Sequence, residues 1–90
     1  MRTTLRIIFS GRVQGVGFRF RARLLSEHHL VGGQVKNLPD GRVEMVVQGE
    51  PEEIDRFRRS IRSEMGRLIR GEEEHEVENA PNYSNFNIAR

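Results

Sequence analysis

Cysteine and tryptophan are absent from these 90 residues, and lysine, tyrosine and proline are scarce, with Lys36 the only lysine and Tyr83 the only tyrosine. Without cysteine there is no disulfide framework, no thiolate nucleophile and no cysteine-held metal. Long apolar runs are missing as well. The opening MRTTLRIIFSGR is interrupted by charge too soon to be a secretory signal or a membrane span, so a cytoplasmic protein without a membrane partner is expected. Few aromatics leave little surface on which bases can stack. A net charge of only +2, with acids interspersed among the arginines, gives no broad basic patch. Nucleic acid is therefore not an expected partner, and the length suits one domain, residues 1–90, with one modest core.

What is present is clear periodicity. Residues 3–10 alternate, with Leu5, Ile7 and Phe9 on one face and Arg6, Ile8 and Ser10 on the other, as in a half-buried strand. Phe18, Ala22 and Leu25 fall at helical spacing, and Gly32-Gly33 mark a stop after an expected helix end near His28-His29-Leu30. Gln34 to Asn37 reads as a short strand, Leu38-Pro39-Asp40-Gly41 as a turn, and Val43, Met45 and Val47 as the returning strand of a hairpin. Pro51 opens a second helix whose apolar stripe is Ile54, Phe57, Ile61, Met65 and Leu68. GEEEHEVEN, residues 71–79, is either a weak edge strand or a solvated excursion, and Tyr83, Phe86 and Ile88 suggest a closing strand. The order strand, helix, strand, strand, helix, strand is that of the ferredoxin-like split βαβ. The expected class is α+β, an antiparallel sheet with two helices on one face. That plan hosts many functions and selects none.

The stretch FSGRVQGVGFR breaks the first strand and feeds the first helix. Gly15 and Gly17 can take positive φ, letting successive amides turn inward as a concave anion nest. The helix amino end favours an anion for the same reason. Arg19 is poorly placed in that first turn unless a dianion lies between its guanidinium and the amides. The plainer alternative is a tight turn followed by one more surface arginine. The loop lacks the Lys-Ser/Thr ending of a Walker nucleotide loop. Asn37, judged by its surroundings alone, is a turn former ahead of Pro39-Asp40-Gly41.

GRVQGVGFR at 11–19, VKNLPDGRVE at 35–44, QGEPEEIDRF at 48–57 and YSNFNIAR at the C-terminus together closely resemble the acylphosphatase family. The resemblance covers most of the chain apart from about 64–80. It implies a glycine loop that binds phosphate through the segment Gln14, Gly15, Val16, Gly17, Phe18 and Arg19. It further implies that Arg19 is the phosphate-binding arginine and Asn37 the residue that positions an attacking water. The activity implied is hydrolysis of the carboxyl-phosphate anhydride of small acyl phosphates, without metal or other cofactor. Inorganic phosphate would be product and inhibitor, and the protein a monomer.

Two departures from the family pattern stand out: EMGRLIRGEEEHEVEN follows the second helix without the family's proline, and Gln34 replaces a frequent aromatic. Neither touches the loop, Arg19 or Asn37. His28 and His29, being adjacent, point about 100° apart on a helix and do not share a ligand sphere. His75 lies in an acidic run that reads as solvated surface. A non-hydrolytic phosphate-binding or acyl-phosphate-handling module and an RNA-binding domain are the competing functions. An RNA binder on this plan needs exposed aromatics on its central strands.

Overall fold

A computed structural model describes all 90 residues. Strand β1 (Thr3–Gly11) is followed by helix α1 (Phe18–Ser26), then by strands β2 (Val31–Asn37) and β3 (Val43–Gly49). Helix α2 (Pro51–Met65) runs through a 3-10 turn at Gly66–Leu68 into β4 (Ile69–Glu76), and β5 (Phe86–Ile88) closes the chain. The sheet order is β4-β1-β3-β2-β5. Its first four strands pair antiparallel, whereas β5 lies parallel to β2 with Gly33 opposite Phe86. The sheet is thus mixed, where an antiparallel one was expected. Residue alternation reports burial but not strand direction, and β5 returns beside β2 after a long excursion.

The alternation in β1 is realised as read. Ile7 and Phe9 are buried in a core of 14 apolar residues that also takes Val35, Met45 and Val47 from the sheet and Phe18, Ile54, Phe57 and Ile61 from the helices. Phe57 meets Phe86 edge-on at 5.3 Å between ring centroids. Each such fully buried side chain contributes about 1.5–3 kcal/mol before entropy is charged against it. On the opposite face Ile8 is also buried, between Glu44 and Glu73 in register. Glu44 pairs with Arg6 at 2.6 Å and Glu73 with Arg42 at 3.0 Å, so long charged side chains cover that apolar residue.

Helix α1 stops earlier than expected. The amides of Glu27, His28 and His29 each bond the carbonyl three residues back, and the Ser26 hydroxyl donates to Arg23 O at 2.6 Å, which together tighten the last turn. Gly32 and Gly33 are not the helix stop but part of β2. A Cβ on Gly32 would lie 2.1 Å from Tyr83 O, and one on Gly33 1.8 Å from Val46 O. These glycines let two other backbones approach the strand.

The acidic run is the edge strand β4. Glu72 accepts from both Arg62 (2.8 Å) and Arg58 (3.0 Å) on α2, while Glu74 also pairs with Arg58. Charges of this kind on an outer strand also discourage edge-to-edge association. No helix is long and apolar enough to cross a membrane.

Candidate active site

The loop between β1 and α1 is held at both ends by the core. Val13 and Phe18 are each about 1% exposed, and Phe18 packs on Phe9 at 5.1 Å. Between these anchors Gly15 (φ 73°) and Gly17 (φ 80°) adopt the left-handed conformation that residues with a Cβ rarely take. Gly17 is also the N-cap of α1, with no side chain capping the helix. None of the backbone N–H groups from Val13 to Phe20 donates to another residue, and the first donor is Arg21 N–H, to Gly17 O at 2.9 Å. A run of unpaired amides at a helix amino end is a site for an anion.

A third fastening comes from Gln14. Its side-chain amide donates to Leu38 O at 2.7 Å and to Arg42 O at 2.9 Å, the two carbonyls at the base of the β2–β3 turn. The turn itself is closed by Leu38 N–H to Arg42 O (2.8 Å) and Gly41 N–H to Leu38 O (3.2 Å). Asp40 accepts from the Arg42 amide at 3.1 Å, and this bond, with the guanidinium beside it, holds the Asp40 carboxyl below its ordinary value. Asp40 and Gly41 therefore shape the hairpin. Asn37, just before that turn, has its main chain fixed opposite Val43.

These elements enclose a cavity of about 170 Å³ lined by Val13, Gly15, Gly17, Phe18, Arg19, Phe20, Asn37 and Ile88. Of the residues singled out in the sequence, Gly15, Gly17, Phe18, Arg19 and Asn37 meet there. Gln14 and Val16 do not line it: Gln14 turns to the hairpin, and Val16 is exposed. Val13, Phe20 and Ile88 line the cavity without having been singled out. Phe20 falls off the Phe18–Ala22–Leu25 stripe and is 60% exposed. On the same helix Arg21 pairs with Glu64 and Arg23 with Glu27, whereas Arg19 has no acidic partner. The side-chain amide of Asn37 is likewise bonded to no other residue. No carboxylate, histidine or tyrosine lines the cavity.

An α+β sandwich whose helix amino end, glycine loop and unpaired arginine converge on one small cavity has the elements of an anion-binding site. Comparison with known proteins makes the assignment particular. The acylphosphatase family model matches residues 5–88. The chain is 41% identical over 86 residues to an acylphosphatase of Archaeoglobus fulgidus, covering 94% of this chain and 96% of that one. It superposes on the crystal structure of acylphosphatase from Bacillus subtilis with a TM-score of 0.86 at 28% identity, over the whole of both chains. It is also similar to 12% of the T. kodakarensis HypF chain, with a TM-score of 0.81 and 28% identity. The chain belongs to the acylphosphatase family, and is thus an acid-anhydride hydrolase.

Proposed function

We propose that this chain hydrolyses small acyl phosphates to carboxylate and inorganic phosphate, with Arg19, Asn37 and the loop amides as its working parts. The observation that carries the reading is the convergence of Arg19, Asn37 and the two left-handed glycines on one cavity. The amides from Gln14 to Arg19 and the Arg19 guanidinium hold the phosphoryl oxygens and offset the charge that develops on them. The Asn37 amide orients a water behind phosphorus, in line with the departing carboxylate. Asn37 is no base at neutral pH, and the cavity lining supplies none. A carboxylate leaving group has a conjugate-acid pKa of about 4, so it departs without needing a proton. The attacking water's proton can pass to the phosphoryl oxygens of the substrate itself.

The lining contains no carboxylate or histidine through which a divalent cation would be held. The chain is read as one working unit over residues 1–90, a cytoplasmic monomer whose partners are its substrate and the phosphate product. The test is hydrolysis of benzoyl phosphate by the purified protein. Turnover that survives EDTA and is inhibited competitively by inorganic phosphate is the expected result. Phosphate binding without turnover would instead favour a non-hydrolytic module.

A further inference from the structure

The cavity is small. At about 170 Å³ it falls below the roughly 300–1,000 Å³ of pockets that enclose a drug-sized ligand. A phosphoryl group held against the loop amides and Arg19 leaves the acyl portion of a substrate to extend along the exposed part of the lining. Two of the lining residues are exposed apolar side chains, Phe20 at 60% and Ile88 at 39%. Only five large apolar side chains are exposed on the molecule, and the other three are Met1, Val16 and Leu30. Scattered exposed apolar residues need no explanation, but here two of the five, Phe20 and Ile88, line one cavity.

Charge points the same way. Arg19 is the only charged residue in the lining, and the phosphoryl group already engages it. A second anionic group on the substrate has no partner there. A flat apolar group, by contrast, can lie against the Phe20 ring and Ile88 and remove both from water.

Building on the hydrolytic reading above, we propose that Phe20 and Ile88 form an acyl-group subsite that selects acyl phosphates with aromatic or bulky apolar acyl groups. Phe20 is its specificity-determining residue. The residue sits at the third position of α1, one step beyond Arg19, so the ring and the guanidinium are carried by the same rigid turn. Recognition of the acyl group and of the phosphoryl group are thereby held in fixed relation.

The experiment has a kinetic and a binding arm. In the first, kcat/KM is measured for benzoyl phosphate and for acetyl phosphate. Phe20→Ala is expected to lower the benzoyl-to-acetyl ratio about tenfold, the scale of one lost aromatic contact. Phe20→Leu should keep part of the preference. A Phe20→Ala ratio within about twofold of the unaltered protein's overturns the proposal. In the second arm, phenylphosphonate and methylphosphonate are titrated calorimetrically, which reads the subsite without hydrolysis. The phenyl compound should bind about tenfold more tightly, and Phe20→Ala should cancel the difference. Equal affinity of the two compounds for the unaltered protein overturns the subsite whatever the kinetics show. A phenyl preference that persists where no acyl phosphate is turned over upholds the subsite and overturns the hydrolytic reading instead.

Discussion

Arg19 carries its charge where the α1 dipole disfavours a cation, and no acid compensates it, although Arg21 and Arg23 on the same helix are both paired. A phosphoryl dianion between the guanidinium and the loop amides reverses the sign of that interaction. Losing a donor to developing charge typically costs about 3–4 kcal/mol, or 10²–10³ in rate. Arg19→Gln is therefore expected to lower kcat/KM for an acyl phosphate at least about a hundredfold and to weaken competitive inhibition by inorganic phosphate. Asn37→Ala should behave differently, reducing kcat while leaving phosphate inhibition within about twofold, because its proposed task is to orient water rather than to bind the anion. Steady-state kinetics with phosphate as inhibitor separates the two residues, and equal losses in both constants for Asn37→Ala would overturn its assigned role. Glycine and arginine announce themselves locally, so this part of the site was legible in the sequence. Phe20 was not, because a ring off the apolar stripe looks the same whether it faces bulk water or a ligand.

Among the elements, the β1–α1 loop and the β2–β3 turn depend on one another through Gln14. Both of its amide hydrogens go to the turn, at Leu38 O and Arg42 O. This bridge fixes where Asn37 stands relative to the Gly15–Gly17 amides, whose own conformation is set by their positive φ. Gln14→Met keeps the length of the side chain and removes both donors. The expected outcome is a kcat about tenfold lower with phosphate inhibition nearly unchanged, on the scale of one to two lost hydrogen bonds. In an Asn37→Ala background the same substitution should cost little more, since the group it positions is already gone. Additive losses across that cycle would mean that Gln14 acts on general stability instead. Spacing in the sequence cannot reveal a bridge between residues 14 and 42. It equally misread Gly32-Gly33 as a helix stop, because a glycine that ends a helix and one that admits a neighbouring backbone carry the same letter. The hairpin, the start of α1 and the stripe of α2 were legible since each is fixed by local periodicity and turn chemistry.

At the scale of the whole molecule, the least legible segment turns out to join the two layers of the fold. Nothing local in RGEEEHE favours a strand; the ladder to β1 and the arginines of α2 make it one. Glu72 is the centre of that contact, only 16% exposed and bonded to both Arg58 and Arg62. The Arg62 hydrogen bond is the main reason that the Glu72 carboxyl is held below its ordinary value; burial opposes the shift, and Arg58 adds to it. A carboxyl whose folded pKa is depressed stabilises the fold above its unfolded pKa, about 4.3 for Glu, and loses that contribution as pH falls through the folded value. Glu72→Gln should therefore reduce stability by about 1 kcal/mol at pH 7, a figure discounted for partial solvent screening. The gap from the unaltered protein should narrow steadily below about pH 4. Urea unfolding midpoints for the two proteins between pH 7 and pH 3 measure this directly. A gap that stays constant over the whole range would show that the contact between β4 and α2 stabilises the fold through packing and not through the charge of Glu72.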